Sequence, residues 1–261
     1  MAETYRVAVL GQLIKRSGFI AHDLMTEGTA EPTSVGDVAQ LGLWLAQHGF
    51  TEFLDDCERL VECRLLPCQI IQSPGLKPDV DDGADNHANL DARGIGAYGG
   101  MHGPKWGKNP VTDITCAVLH SVADIFRHIA VPSPAGLKVN CHFDYEDHNV
   151  RIKSERGEQA TVTIVPKIHE SILVRIPGWA PGETVRLTVN DISFEPTKFR
   201  NFAYVPRDVL PGTVILRYGL PLQKAVEKTA GVECTFTWKG DEIVGVFPNN
   251  DFFPFYPTST G

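Results

Sequence analysis

Thiols, carboxylates and imidazoles are the groups in this chain that could carry chemistry, and their spacing decides what they can do. Six cysteines are present, and three of them, Cys57, Cys63 and Cys68, fall within one short segment. On an α-helix that turns about 100° per residue, Cys57 and Cys63 lie about 240° apart and face different ways. Zinc is therefore not expected there, and we interpret these cysteines as buried free thiols.

The acidic run 79–85 has the composition of a calcium loop. In a calcium loop of the EF-hand kind, a glycine stands at the sixth position and a carboxylate at the twelfth. Counted from Asp79, the glycine comes one place early and the twelfth residue is Leu90. We therefore interpret the run as a solvated loop.

His102 and Trp106 stand in a glycine-rich segment, 99–107, ahead of a predicted helix. An indole ring can stack on the apolar face of a sugar while an imidazole hydrogen-bonds the sugar hydroxyls. Both residues are therefore candidate substrate-binding groups. A loop that is anchored by a buried Trp106 explains the same residues equally well.

The elements that must position these groups follow from the hydrophobic period, which changes near residue 136. Before it, apolar residues recur every three or four positions, which is the spacing of amphipathic helices. Three ranges share this spacing and are predicted helices: 35–48, 52–66 and 114–129. Residues 3–16 fit a fourth helix or, through residues 7–10, a strand.

Beyond residue 136 the period is two, and turn residues divide the chain into the short antiparallel strands of a two-sheet sandwich. The predicted domains are therefore a helical part, 1–132, and a β-sandwich, 136–257. Within the helical part, residues 73–112 lack any period. Such a long loop is either exposed and flexible or a lid over a pocket.

Composition narrows the classes of partner. The 261 residues carry a net charge of −8, and 43% of them are hydrophobic. A negative long-range field repels phosphate backbones and anionic lipid, so neither nucleic acid nor a membrane is an expected partner. Residues 1–10 lack a signal-peptide pattern and no apolar run reaches about eighteen residues, so a cytoplasmic location is expected.

Several motifs resemble those of the β-L-arabinofuranosidase-like glycoside hydrolases. The clearest lies within residues 172–190, where ILVRIPGWA is followed by VRLTVN. The other matching segments follow the family's order: EPTSVGDV at 31–38, CER at 57–59, DITC at 113–116 and FTWKGD at 236–241. The resemblance covers about residues 31–257.

The resemblance implies a toroid of six helical hairpins followed by a β-sandwich. Twelve helices of about 12 residues with their connections need more than roughly 200 residues, whereas the sandwich here begins near residue 136. The expected fold class is therefore α+β and multidomain, with a partial α/α toroid remnant ahead of an antiparallel β-sandwich. The chain would be a truncated or degenerate member, and a second copy or a partner chain is expected to cover the open barrel face.

The same resemblance implies a cysteine thiolate nucleophile held on zinc by further cysteines and a glutamate, with a separate glutamate as acid and base. Glu31 matches the zinc-binding glutamate, and Cys116 matches the second of two paired cysteines. Thr33 and Thr115 stand where the family places its other sulfur ligands. Because a threonine hydroxyl is a poor zinc ligand and is not ionised near neutrality, zinc is expected to bind weakly or not at all.

The acid/base glutamate of the family falls in a segment that offers three groups here: His22, Asp23 and Glu27. We take Glu27 as the candidate. A shift of the alignment by one residue would make Cys116 the nucleophile, with His102 or His120 as replacement ligands. Cys116 as a small, inert apolar residue is the simpler interpretation.

Two functions follow from this reading. As an enzyme, the chain would hydrolyse a terminal furanoside with retention of configuration, with Cys116 and Glu27 as catalytic residues. As a non-catalytic protein, it would bind carbohydrate or act as a scaffold, without zinc or turnover. Because two sulfur positions hold threonine and the barrel is incomplete, the prediction is an inactive glycoside hydrolase-like protein. A plain fragment would instead show a broad, uncooperative melt.

Overall fold

The computed structural model describes six stretches of the chain: 1–20, 32–72, 90–98, 115–229, 231–251 and 254–257. The first stretch begins with helix α1 (Ala2–Thr4) and continues as a π-helix over Tyr5–Leu13. The helix predicted over 3–16 is therefore confirmed, and the strand alternative is wrong. The Tyr5 hydroxyl donates to the Val38 carbonyl (2.9 Å) and ties this segment to the next helix.

The helices that follow are α2 (Pro32–Gln47), α3 (Phe53–Leu60), α4 (Leu66–Cys68), α5 (Leu90–Arg93) and α6 (Thr115–Arg127), with a π-helix, Val61–Leu65, between α3 and α4. α2, α3 and α6 confirm the three helices predicted from the apolar spacing, and a left-handed glycine, Gly49 (φ 99°), follows the first of them. Of the predicted loop 73–112, only residues 90–98 are described. None of the helices described is both long and apolar enough to cross a membrane.

Beyond residue 129 the described chain forms fourteen strands, as the two-residue period predicts. In chain order they are β1 (Ala130–Ser133), β2 (Gly136–Val139), β3 (Tyr145–Glu146), β4 (Val150–Arg156), β5 (Gln159–Pro166), β6 (Ile172–Arg175), β7 (Arg186–Val189), β8 (Ile192–Ser193), β9 (Thr197–Phe199), β10 (Phe202–Val205), β11 (Val214–Gly219), β12 (Leu222–Thr229), β13 (Val232–Lys239) and β14 (Glu242–Phe247). The fold class is therefore α+β, as expected.

Two of the sheets form the β-sandwich. One has five strands in the order β1-β2-β6-β10-β9, and the other has six in the order β3-β4-β5-β11-β7-β8. Their neighbouring strands run antiparallel apart from β2 and β6, which are parallel. The parallel pair corrects the all-antiparallel expectation. It arises because the chain leaves the first sheet after β2, builds β3 to β5 of the second, and returns beside β2 in the same direction.

The sandwich core lies between these two sheets. Alternate residues of each strand point inward, so the core draws on buried side chains from both sheets: Leu137, Val139, Ile172, Val174, Val162, Ile164, Val214 and Leu216. The residues between them point the other way. Leu173 and Tyr204 therefore lie on the outer face of the five-stranded sheet.

The chain folds into two compact units, each built from segments that are not consecutive. The first comprises Met1–Leu41, Arg59–Val122 and Gln223–Gly261, and the second comprises Gly42–Glu58 and Ala123–Leu222. Strands β12 to β14 form a three-stranded sheet of the first unit, separate from the two sheets of the sandwich. The domain boundaries predicted from the sequence, at 132 and 136, remain a prediction.

Aromatic side chains form part of the core of the first unit, and two of them pack against the buried Arg64. The Arg64 guanidinium lies 3.8 Å from the ring centre of Phe19 and 4.4 Å from that of Phe255. Trp238 is fully buried, and the buried Tyr256 donates its hydroxyl to a backbone carbonyl of the preceding π-helix (2.6 Å). This core therefore stacks a cation against aromatic faces, which partly offsets the cost of burying the charge.

Candidate functional site

Four predicted site residues lie outside the described stretches: Glu27, Glu31, His102 and Trp106. Cys116 is described, as the second residue of α6, and its side chain is exposed. The hydroxyl of the neighbouring Thr115 accepts a hydrogen bond from the Tyr98 backbone N–H (3.2 Å). The thiol therefore faces solvent, while the adjacent hydroxyl is engaged with the backbone.

Thr33 lies in the first turn of α2, and its hydroxyl is buried without a hydrogen-bond partner among the described residues. It occupies the position of a sulfur ligand in the zinc site that the resemblance implies, as does Thr115. Two hydroxyls in place of two thiolates do not fit a tetrahedral zinc site, because zinc binds cysteine sulfur, imidazole nitrogen and carboxylate oxygen. The described donor set therefore does not match that site.

The two helices that carry Thr33 and Cys116 are in direct contact. A Cβ atom at Gly36 of α2 would lie 3.0 Å from Cβ and Oγ of Ser121 on α6. Only a glycine allows so close an approach without a shift of the neighbouring side chain. The structure therefore brings together the helices that the resemblance places around the reactive centre.

A buried ionic cluster of Arg175, Asp55, Glu58 and His142 joins the α3 segment to β6 within the second unit. The Arg175 guanidinium pairs with Asp55 through Nη1 and with Glu58 through Nη2. Arg175 and Glu58 are 0% and 1% exposed, respectively. Arg175 Nε donates to the Asn140 carbonyl, so each guanidinium nitrogen has an acceptor.

His142 belongs to the ionic cluster as a neutral imidazole. Its Nε2 lies 3.0 Å from the Arg175 carbonyl oxygen, which can only accept, so Nε2 carries the proton. Nδ1 therefore accepts from the Tyr218 hydroxyl (2.8 Å). Burial, together with the nearby Arg175 charge, lowers the pKa of His142 well below its ordinary value of 6.5.

The ionic cluster is largely shielded from solvent, and Asp55, at 23%, is its most exposed member. Arg175, Glu58 and His142 are all buried, so no substrate can reach them. Glu58 lies in the CER motif and Arg175 in ILVRIPGWA, but neither motif showed that these two residues, 117 positions apart, form an ion pair. The one sequence signal was Arg175, a charged residue in an otherwise apolar segment, whereas Glu58 stands among other charged residues of α3.

A surface cavity of about 880 Å³ lies on the outer face of the five-stranded sheet, and we call it the sandwich cavity. The turn between β1 and β2 lines one side of it. Strands β6, β9 and β10 contribute Leu173, Phe199 and Tyr204, and the segments just before β6 and just after β10 contribute Glu170, Ser171 and Arg207. Small-molecule sites typically have about 300–1,000 Å³ and mix apolar with polar groups. No sequence motif pointed to this site, since its lining comes from well-separated segments.

A second cavity of about 460 Å³ lies at the turn between α2 and α3, next to Arg200 and Asn201. Its polar groups bond to one another. The Thr51 hydroxyl donates to Asn201 Oδ1 (2.8 Å), Asn201 Nδ2 donates to the Thr51 carbonyl (3.1 Å), and Arg200 donates to the Gly49 carbonyl. The sandwich cavity is therefore the better candidate for a ligand.

Comparisons with known proteins identify the architecture. No family model and no curated protein matches the sequence. A GH127 β-L-arabinofuranosidase from Geobacillus stearothermophilus T6 matches in structure with a TM-score of 0.54 and 14% identity, over 91% of this chain and 41% of that one. A structure described as a glycoside hydrolase matches with a TM-score of 0.53 and 15% identity, over 88% and 44% of the two chains. A GH127 β-arabinofuranosidase matches with a TM-score of 0.52 and 13% identity, over 88% and 41%.

The described residues thus have the fold of part of a glycoside hydrolase. Within that class, the fold is similar to that of the GH127 β-L-arabinofuranosidases, in agreement with the family that the motifs in 172–190 indicated. The chain spans about two fifths of the length of these proteins (41–44%).

Proposed function

We propose that this chain is a glycoside hydrolase-like protein of the β-L-arabinofuranosidase type that binds carbohydrate and does not itself hydrolyse glycosides. The observation that carries the proposal is the structural match to two arabinofuranosidases over 88–91% of the chain. A structural match at 13–14% sequence identity supports a shared fold and nothing more. The function must therefore be argued from the side chains of the site.

Loss of hydrolysis follows from the donor set. In the family that the chain resembles, zinc would supply the thiolate by lowering the pKa of a cysteine. With Thr33 and Thr115 at two of the sulfur positions, the chain offers hydroxyls, which bind zinc poorly and stay protonated near neutrality. Cys116 is the sulfur that remains among the matched positions.

A retaining furanosidase with Cys116 as its nucleophile is the second candidate. The exposure of this thiol favours it, because a nucleophile must be accessible to its substrate. This candidate predicts bound zinc and a release of pentose that Cys116→Ser abolishes.

The two candidates differ in metal content, turnover and binding. We would measure zinc in the purified full chain, assay release of 4-nitrophenol from 4-nitrophenyl β-L-arabinofuranoside, and titrate the chain with arabinotriose by calorimetry, with Cys116→Ser as the matched control. We expect substoichiometric zinc, no release above that of the Cys116→Ser variant, and measurable binding of the sugar. Stoichiometric zinc with release that depends on Cys116 would establish the second candidate, and failure to bind any saccharide would contradict the proposal.

A further inference from the structure

We propose that the sandwich cavity is the carbohydrate-binding site of this protein and that it takes a short neutral oligosaccharide. This inference rests on the proposed function and adds to it the location of the site and the class of sugar. The site uses residues of the sandwich, and none of the residues that match the family's reactive centre is part of it. Three properties of the cavity support the assignment: its aromatic rings, its hydrogen-bonded floor and its charged groups of both signs.

Two aromatic rings offer a surface for the apolar face of a sugar. Phe199 lies on the edge strand β9 and is 59% exposed, while Tyr204 on β10 is half-buried. Their ring centroids are 6.2 Å apart and their planes meet at 84°. The two rings are therefore in edge-to-face contact and are not stacked on each other. Stacking of a sugar on the Phe199 ring would remove exposed apolar area from water.

The cavity floor is held in place without a ligand. Ser171 Oγ lies 2.9 Å from the Tyr204 hydroxyl and accepts the Arg207 backbone N–H (3.2 Å). The Ser171 carbonyl accepts the Leu137 N–H (2.9 Å), and Gly136 approaches so closely that a Cβ there would lie 2.1 Å from that oxygen. These hydrogen bonds hold Ser171 and the Tyr204 ring in position before a ligand binds, which lowers the entropic cost of binding for this part of the lining.

The lining of the cavity carries charged and polar groups of both signs, Glu170, Arg207 and the imidazole of His169, which suits a neutral ligand rich in hydroxyls. Glu170 contributes an exposed carboxylate and Arg207 an exposed guanidinium, and the Arg207 Nε lies 3.9 Å from a carboxylate oxygen of Asp208. Carboxylate and guanidinium supply acceptors and donors for sugar hydroxyls. Because Asp208 lies beside the Arg207 guanidinium and Glu170 adds a second carboxylate, the cavity does not favour an acidic or phosphorylated sugar.

Calorimetric titration of the full chain tests the assignment. The probes are the neutral trisaccharides arabinotriose, xylotriose and cellotriose, with trigalacturonate as an acidic counterpart. We expect at least one neutral probe to bind, Phe199→Ala to weaken that binding about tenfold, and Glu170→Ala at an exposed position to weaken it as well. Phe126→Ala is the matched control, because Phe126 is also exposed (51%) and also meets a tyrosine ring edge to face, and it should leave binding unchanged.

Each departure from these results has a distinct meaning. If the wild-type chain binds a saccharide and the Phe199→Ala and Glu170→Ala variants bind it equally well, the site lies elsewhere and the inference falls while the proposed function stands. Equal weakening by Phe126→Ala, or tighter binding of trigalacturonate than of every neutral probe, also overturns the inference. If no saccharide binds to the wild-type chain, the inference and the proposed function fall together.

Discussion

Arg175 shows how a single buried charge constrains its surroundings. Removing a guanidinium from water costs several kcal/mol, and the cost is offset only when acceptors meet each of its nitrogens. Asp55, Glu58 and the Asn140 carbonyl meet that requirement. The loss of one acceptor therefore leaves a buried cation that is only partly compensated.

Glu58→Gln should destabilise the protein by about 3 kcal/mol, because it removes one charge of a buried pair and leaves Arg175 in place. The measurement is urea denaturation at neutral pH. Asp144→Asn is the control, since Asp144 pairs with Lys153 at the surface and such pairs contribute about 1 kcal/mol or less. Equal losses for the two variants would contradict the assignment of Glu58 to a buried pair.

The neutral state of His142 makes stability depend on pH. In the unfolded chain this imidazole takes up a proton near its ordinary pKa of 6.5, whereas in the folded chain burial and the Arg175 charge keep its pKa well below that value. Acid therefore favours the unfolded state, and the contribution present above pH 6.5 is lost as the pH falls, by up to about 1.4 kcal/mol per pH unit. Glu58 and Tyr218 also lie against the ring, with Glu58 Oε1 4.0 Å and the Tyr218 hydroxyl 2.8 Å from His142 Nδ1.

Thermal melts at pH 7.5 and pH 5.5 check this expectation. The wild-type melting temperature should drop on acidification, and His142→Asn, although less stable overall, should drop less. His120→Asn, at an exposed histidine of α6, should keep the full wild-type dependence. A pH dependence that His142→Asn leaves intact would assign the effect to other groups.

At the scale of elements, the hairpin of β1 and β2 depends on one glycine. The turn is closed by Ser133, whose hydroxyl donates to the Gly136 carbonyl (2.7 Å) and accepts the Ala135 N–H (3.3 Å). Gly136 adopts a left-handed φ of 119° and lies against the Ser171 carbonyl. The hairpin can therefore approach β6 only where no Cβ is present.

Gly136→Ala should lower the free energy of unfolding by at least about 3 kcal/mol. The unfavourable φ alone accounts for about 1–3 kcal/mol, and the clash of the new Cβ with backbone adds to it. Gly182→Ala is the control, since a Cβ there meets no atom within 4 Å and its φ is not left-handed. That variant should stay within about 0.5 kcal/mol of wild type. Chemical denaturation of both variants measures the difference, and a Gly136→Ala protein as stable as Gly182→Ala would refute the close approach to Ser171.

At the scale of the whole molecule, the accessibility of the cysteine thiols can be measured as a test of the native packing. Five of the six cysteines are buried, and Cys116 is exposed. Burial also raises the pKa of the Cys63 thiol to about 12, which further suppresses its reaction near neutral pH. The intact protein should therefore present one reactive thiol.

Titration with 5,5′-dithiobis(2-nitrobenzoic acid) should show one fast equivalent in native buffer and six in denaturant. Cys116→Ser should remove the fast equivalent and leave five after unfolding. Two or more fast thiols in the wild-type protein would mean that part of the core opens readily or is packed differently.

Much of this fold could be predicted from local patterns. The helices around Val35, Leu60 and Val118, and the strands around Val162 and Val214, appear where the apolar period places them, because each period is set by the geometry of its own element. The segment ILVRIPGWA likewise pointed to the fold that the structural comparisons recover. Of the candidate site, the exposed Cys116 at the start of α6 lies where the helix pattern puts it.

Other features depend on contacts between distant parts of the chain, and a local pattern carries no information about them. The parallel pairing of β2 with β6, the ion pair of Glu58 with Arg175 and the lining of the sandwich cavity each join residues that are far apart in sequence. The amino-acid sequence by itself determined the types of the elements, the net charge and the threonines at positions 33 and 115. Only the tertiary structure decided which charges are buried together and where a cavity of ligand size lies, because burial and proximity are properties of the packed chain.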